Sequence, residues 1–165
     1  MREIILVKYG EMALKGLNRG TFEDVLLRNI RYRLKKLGKF SYSKAQSTIY
    51  IVPEADTDDA CSELLAAAMP RLKQVFGIAA LSRALTCAKS FADIAAKSVP
   101  YLEDALTAAK TFKVEAKRAD KAFPMKSPEI CAELGGILLS HYPHLKVNVN
   151  EPDVTVTVEI AEDHP

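Results

Sequence analysis

The residues best suited to chemistry are four cations just before a well-marked helix start: Lys117, Arg118, Lys121 and Lys126. In the sequence that follows, Ser127 can cap the first free amides and Pro128 suits the first helical position. Glu129 complements the positive end of the helix. Free amides at a helix N-terminus, with cations beside them, form a phosphate site. The sequence therefore predicts binding of a phosphate group at this position.

A second set of cations lies in and after a glycine-rich loop, residues 10–20. Lys15, Asn18 and Arg19 stand just before a second helix start, so this loop is a second candidate phosphate cradle. Arg28 and Arg31 follow on the helix, and their spacing puts them on one solvent face together with Lys35 and Lys39. We expect these residues to contribute to the same polyanion-binding surface.

Phe123 lies among cations in the segment between the strand and the helix. As a stacking platform for an unpaired base, its ring would contribute about 1–3 kcal/mol. Alternatively, the ring fills the gap between the loop and the helix. The sequence leaves both interpretations open.

No residue pattern predicts catalysis or a metal site. A phosphate loop, a nucleophile elbow and a dinucleotide-binding glycine motif are all missing from the sequence. His141 and His144 are the nearest pair to a metal site, but Pro143 breaks the helix between them. Cys61, Cys87 and Cys131 are too far apart for a zinc knuckle, and we expect all three to be reduced. We therefore expect no catalytic residue, no metal and no cofactor in this chain.

The composition predicts a soluble globular protein with an uneven charge distribution. The 165 residues are 48% hydrophobic and 27% charged, a balance that excludes a disordered chain. No apolar run is long enough to cross a membrane, and the first residues are unlike a signal peptide, so we expect a cytoplasmic protein without membrane contact. Residues 1–53 hold 11 Lys or Arg against 4 Asp or Glu, and residues 110–126 hold 6 against 2. Two basic blocks favour a polyanion partner.

The order of elements predicts an α+β protein with two domains. Residues 1–85 follow the β-α-β-β-α-β order of a ferredoxin-like domain. Residues 86–165 follow with helices, a strand, a helix and two more strands. In the first domain we expect Pro53 to end a strand and Pro70 to end or kink a helix. In the second we expect Pro100 to interrupt a helix and residues 145–149 to form a strand.

Several segments resemble the tRNA 4-thiouridine synthetases, also called tRNA uracil 4-sulfurtransferases and linked to thiamine biosynthesis. The specific segment is Tyr9-Gly10-Glu11-x-x-Leu14-Lys15-Gly16-x-Asn18-Arg19, and Val75-Phe76-Gly77-Ile78 follows it in the expected order. A pattern similar to a THUMP domain comes next. It consists of Phe112-x-Val114-x-Ala116-Lys117-Arg118-x-Asp120-x-x-Phe123-Pro124-x-x-Ser127-x-Glu129, Leu145-Lys146-Val147 and Pro152-Asp153-x-x-Val156-x-Val158-Glu159-Ile160.

The resemblance implies a ferredoxin-like domain followed by an α/β THUMP domain, whose sequence profile can start as early as about residue 60. Together the two domains would bind tRNA and hold its single-stranded 3′ end. In that family the chemistry belongs to a following ATP-pyrophosphatase domain, which uses ATP with Mg and adenylates uridine 8 before sulfur transfer. A persulfide-carrying cysteine desulfurase supplies the sulfur. The present sequence lacks that catalytic domain, so it resembles an excised N-terminal part from which we expect no catalysis alone.

Other functions stay open at this point. The chain could be the RNA-binding THUMP module of a tRNA methyltransferase or of another RNA-modifying enzyme. It could also be a small enzyme that binds a nucleotide phosphate at the helix start near Ser127. A third alternative is a homodimer formed through an exposed sheet edge.

Overall fold

The computed structural model describes residues 2–10, 19–45 and 47–162. The chain divides into two compact units, Met1–Thr86 and Cys87–Pro165. Each unit has its own hydrophobic core. The two units are described separately below.

The first unit is a four-stranded antiparallel sheet with two helices. The elements are β1 (Glu3–Tyr9), α1 (Arg19–Leu34), β2 (Lys39–Ala45), β3 (Thr48–Glu54), α2 (Asp58–Leu72) and β4 (Ile78–Leu85). The strands lie in the order β2-β3-β1-β4. This arrangement confirms the predicted ferredoxin-like fold.

The core of the first unit follows from two sequence patterns. β1 is an almost wholly apolar run and is buried in the middle of the sheet, as expected of a central strand. Apolar residues recur every third or fourth position along α1, so they form one stripe against that sheet. The buried members of this stripe are Phe22, Leu26, Ile30 and Leu34.

Two prolines in the first unit do not end their elements. Pro70 lies inside α2, which continues to Leu72; the proline removes one backbone donor, and the helix ends within its next turn. β3 likewise continues past Pro53 to Glu54. β1 pairs with β3 only as far as Ile51, so near Pro53 β3 has β2 as its single neighbour and the missing amide is tolerated.

The second unit is a three-stranded parallel sheet covered on one face by helices. The elements are α3 (Phe91–Tyr101), α4 (Glu103–Ala108), β5 (Thr111–Arg118), α5 (Ser127–His141), β6 (Lys146–Val147) and β7 (Val154–Ile160). The strands lie in the order β6-β5-β7, and both outer strands run parallel to β5. The predicted interruption at Pro100 is confirmed, since the helical segment splits into two helices at Leu102.

β6 is shorter than the predicted strand over residues 145–149. The Asn148 side chain accepts hydrogen bonds from the amides of Asn150 and Glu151, each at 3.1 Å, and so turns the chain away from the sheet. The chain then returns to the start of β5. There the Asp153 carboxylate accepts from the amides of Lys110 at 2.8 Å and Thr111 at 3.2 Å. β7 therefore pairs with the other edge of β5 rather than with β6.

Candidate nucleic-acid interface

Strand β5 delivers the predicted cations to the end of the sheet. Phe112 is fully buried, and Val114 and Ala116 pack partly buried against the same core. Lys117 lies on the opposite face and is exposed. The alternation read from the sequence is therefore confirmed.

Arg118 is turned toward the following loop instead of toward solvent. Its Nη1 donates hydrogen bonds to the carbonyl oxygens of Phe123 at 2.9 Å and Lys121 at 3.3 Å. These contacts hold residues 119–126, which we name the lysine loop, in a closed shape. Arg118 thus braces the loop.

Asp120 fixes the same loop from a second direction. Its carboxylate accepts from Lys89 Nζ at 2.8 Å and from the Ala122 amide at 2.9 Å. These hydrogen bonds, the one from Lys89 first, lower the pKa of Asp120. The amides of Ala119 and Asp120 both donate to the carbonyl oxygen of Ile160, at 2.8 and 3.2 Å, at the end of β7. The lysine loop is therefore anchored both to the segment just before α3, through Lys89, and to the end of β7, through Ile160.

Phe123 is buried in the core of the second unit and is only 5% exposed. The interpretation of this ring as a plug between loop and helix is therefore correct, and the stacking platform is wrong. The Phe123 ring can pack inward because the hydrogen bond from Arg118 to the Phe123 carbonyl oxygen holds the loop over the core. The most exposed large apolar side chain of the described residues is instead Phe76, at 91%.

The start of α5 differs from the predicted one by a single residue. Lys126 occupies the N-cap position, and Ser127 is already the first helical residue. An ammonium group has no acceptor, so Lys126 cannot serve as Ser127 was expected to. The Glu129 carboxylate accepts from the Lys126 amide at 3.4 Å, which satisfies one backbone donor. The predicted capping role of Ser127 is therefore wrong.

Exposed lysines lie on the lysine loop and just before it. Lys121 and Lys126 are exposed on the lysine loop, and Lys117 is exposed at the end of β5. Within the part of the chain that the structure describes, neither Lys121 nor Lys126 forms an ion pair. Their charges are therefore available to a polyanion.

The other predicted site residues belong to the first unit. Arg28 and Arg31 are exposed on α1, as their spacing predicted. The prediction that Lys35 and Lys39 continue this helix face is wrong, because α1 ends at Leu34 and Lys39 begins β2. Lys15 and Asn18 lie outside the described residues. Arg19 begins α1, but its side chain is also outside the described part.

Two domain families match the chain. The ThiI ferredoxin-like domain matches residues 4–82, and the THUMP domain matches residues 88–164. The chain is a ThiI ferredoxin-like domain followed by a THUMP domain. The lysine loop and α5 therefore belong to the THUMP domain, and α1 belongs to the ThiI ferredoxin-like domain.

Curated relatives with the same two domains are named tRNA sulfurtransferases. The chain is 43% identical over 164 residues to a probable tRNA sulfurtransferase of Acetivibrio thermocellus and covers 41% of that protein. It is 38% identical over 162 residues to one of Caldanaerobacter subterraneus and covers 40% of that protein. In both comparisons 98% of the present chain is matched. The chain thus spans about two fifths of the length of these relatives.

Two solved structures are similar to the chain over nearly its whole length. A 4-thiouridine synthetase in complex with RNA and ATP matches 98% of the chain with a TM-score of 0.77 and 28% identity, and the chain covers 39% of it. A second match is PH1313 of Pyrococcus horikoshii, with a TM-score of 0.78 and 25% identity over 97% of the chain and 51% of that protein. Both matches cover the ThiI ferredoxin-like and THUMP domains together.

The remaining polar candidates serve the THUMP fold. His144 Nε2 contacts the carbonyl oxygens of Leu106 at 3.0 Å and Ala109 at 3.2 Å. Cys131 is partly buried and free. Among residues 2–10, 19–45 and 47–162, no cluster of His, Cys, Asp or Glu could hold a metal ion, and no helix is long and apolar enough to span a membrane.

The contacts that brace the lysine loop were not predicted from the sequence. One signal was available for Arg118, because it has the same strand parity as the core residues Phe112 and Val114. That parity points its side chain toward the covered side of the sheet. The pairing of Lys89 with Asp120 joins residues 31 positions apart, and no local pattern announces it.

Proposed function

We propose that this chain is the tRNA-binding portion of a tRNA sulfurtransferase that forms 4-thiouridine at position 8 of tRNA. The names of its curated relatives and the RNA-bound 4-thiouridine synthetase among its structural neighbours support this function. The ferredoxin-like match speaks against a THUMP methyltransferase, because that domain is of the ThiI type. In this proposal the chain holds the tRNA and its 3′ end while another domain carries out the chemistry.

The observation that carries the proposal is the braced lysine loop of the THUMP domain. Its backbone is fixed by Arg118 and Asp120, while Lys121 and Lys126 remain exposed and free of ion pairs among the described residues. A fixed backbone reduces the conformational entropy lost when a ligand binds. Lysine ammonium groups that meet phosphates supply affinity without reading sequence. We infer that tRNA is recognised here by its shape and backbone.

Lys117, Lys121 and Lys126 form the THUMP part of the proposed RNA surface, and Arg28 and Arg31 contribute from the ferredoxin-like domain. Lys15, Asn18, Arg19 and Ser127 stay in the proposal on the strength of their motif positions. Arg118 acts as a positioning residue, since its guanidinium is engaged with the loop. Phe123 supports the lysine loop by packing in the core of the THUMP domain and is not proposed to contact RNA.

For the whole protein we propose an ATP-dependent transferase of the cytoplasm, linked to thiamine biosynthesis. ATP with Mg would act on an ATP-pyrophosphatase domain, and a persulfide-carrying cysteine desulfurase would deliver sulfur. ATP is present in the 4-thiouridine synthetase structure that this chain resembles. A homodimer is a further part of the proposal, and sedimentation at several concentrations would test it.

The proposed role of the lysine loop is tested by two matched double variants. Lys121→Gln with Lys126→Gln removes two charges at the end of β5, whereas Lys110→Gln with Lys146→Gln removes two at its start. If the loop binds two phosphates, the first variant lowers the dependence of log K on log salt by roughly 1.4–1.8, and the second leaves it near the wild-type value. Equal losses in the two variants would show that only net charge matters.

A further inference from the structure

A basic hollow lies in the ferredoxin-like domain, between the C-terminal part of α1 and strand β2. It has a volume of about 540 Å³ and is open to solvent. Eight residues line it, and they include three cations, one carboxylate, a tyrosine and a glycine: Arg31, Lys35, Lys39, Glu54, Tyr42 and Gly38. We call it the Tyr42 hollow. Arg31 already belongs to the surface proposed above, and the sequence spacing placed Lys35 and Lys39 beside it, but neither lysine was assigned a contact there.

The three cations of the Tyr42 hollow have no carboxylate partner. Within the described part of the chain, none of Arg31, Lys35 and Lys39 takes part in an ion pair. Arg31 lies over the ring of Tyr42, 5.1 Å from its centroid. Lys35 lies over the ring of Tyr32 at 5.0 Å. Cation–π contacts hold a cation in place without neutralising its charge.

Tyr42 forms an apolar wall of the hollow. Its ring is partly buried against the core of the ferredoxin-like domain, and this burial raises the pKa of its hydroxyl although Arg31 opposes the shift. Tyr42 therefore stays neutral at physiological pH and does not offset the cations. The one carboxylate of the hollow, Glu54, leaves an excess of two positive charges.

The position of these residues argues against a purely structural role. Cations near the C-terminus of a helix interact favourably with its dipole, which accounts for Arg31. Lys39 belongs to β2 and faces Glu54 across the strand pair without forming an ion pair. One lysine of β2, one arginine of α1 and Lys35, in the turn after α1, thus meet around one concave surface, and among the described residues none of the three has an ion-pair partner. None of the three residues lies in a segment that carries the family resemblance.

We propose that the Tyr42 hollow binds the phosphodiester backbone of RNA, as a contact separate from the lysine loop. The inference rests on the proposed tRNA-binding function. The hollow is open to solvent and its charges lie on separate side chains. Such a surface suits the phosphodiester backbone of RNA better than a small molecule, because small-molecule sites are enclosed and mostly apolar. The same chemistry would accept a free phosphate, so the test must separate RNA from a small anion.

Two matched double variants of the whole chain test the site. Lys35→Gln with Lys39→Gln removes two lysines of the hollow, and Lys36→Gln with Lys73→Gln removes two exposed lysines of the same domain outside it. Both variants change the net charge equally. We expect the first to weaken tRNA binding about tenfold and to lower the salt dependence of log K by roughly 1.4–1.8, with little change in the second.

Equal affinities of the two variants would overturn the inference and leave the proposed function standing, provided that the lysine-loop variant still weakens binding. Absence of tRNA binding by the wild-type chain would overturn both. Nuclear magnetic resonance shifts of Tyr42 give the second readout. Shifts caused by tRNA but not by inorganic phosphate or ATP at the same phosphate concentration support RNA, whereas shifts caused only by the small anions would contradict it.

Discussion

The guanidinium of Arg118 donates a hydrogen bond to the carbonyl oxygen of Phe123 at 2.9 Å. The sequence predicts that Arg118 faces RNA as a cation, and it leaves open whether Phe123 stacks on a base or fills the gap beneath the loop. Their contact shows that both shape the lysine loop from inside. The ring fills the core beneath the loop, and the guanidinium closes the loop above that ring.

Replacement of Arg118 by lysine should loosen the lysine loop while keeping the charge. A single ammonium group cannot reproduce the planar donor geometry that meets two carbonyl oxygens. We expect faster amide hydrogen exchange in residues 119–126 and a loss of about 1–2 kcal/mol in the stability of the THUMP domain. Exchange rates equal to those of the wild type would show that the brace is dispensable.

Phe123→Ala and Phe76→Ala remove the same ring from opposite environments. Phe123 is 5% exposed and Phe76 is 91% exposed. We expect Phe123→Ala to reduce the free energy of unfolding of the THUMP domain by about 3–5 kcal/mol. Phe76→Ala should change the free energy of unfolding by less than about 0.5 kcal/mol. Urea denaturation measures both free energies of unfolding. If Phe123→Ala were as stable as the wild type, Phe123 would not be a core residue.

Gly77→Ala should destabilise the ferredoxin-like domain. Gly77 has φ of +99°, a conformation that L residues rarely adopt, and an added Cβ would lie 3.0 Å from Phe22 Cζ. We expect a loss of about 1–3 kcal/mol. Gly136→Ala is the control: an added Cβ there meets nothing within 4 Å. Because Gly136 lies inside α5, alanine should add about 0.5–1 kcal/mol of stability to the THUMP domain.

The stability of the THUMP domain should fall in acid partly through Asp153. The amide of Lys110, followed by that of Thr111, holds the pKa of the Asp153 carboxyl below its usual value. A lowered folded-state pKa means that this stabilisation is present above the unfolded-state pKa. It is lost as the pH falls through the folded-state pKa. Below about pH 4, Asp153→Asn should therefore lose stability less steeply than the wild type; parallel curves would contradict this role.

Local periodicity predicted most of the fold. The alternation of β5 and the apolar stripe of α1 were both confirmed, because strand and helix periods fix which side chains face a core. The length of β6 was not predicted, because it depends on the side-chain turn at Asn148. The parallel pairing of β7 with β5 depends likewise on a distant contact between Asp153 and the start of β5.

The candidate site was predicted by charge but not by orientation. Exposing a lysine side chain to water costs little free energy. Lys117, Lys121 and Lys126 are accordingly exposed, as predicted. Phe123 and Arg118 share a loop whose conformation is set by its own tertiary contacts. A sequence read locally cannot show whether a loop folds over a core or away from it.

We propose that this chain alone holds tRNA through the phosphates and the shape of the tRNA. The affinity of the whole 165-residue chain for tRNA, compared with its affinity for duplex DNA of equal length across a series of salt concentrations, tests this proposal. We predict tighter binding to tRNA at every concentration and an affinity that falls steeply as salt rises. Binding to tRNA that is absent at low salt, or no tighter than binding to the DNA, would show that the chain does not recognise tRNA.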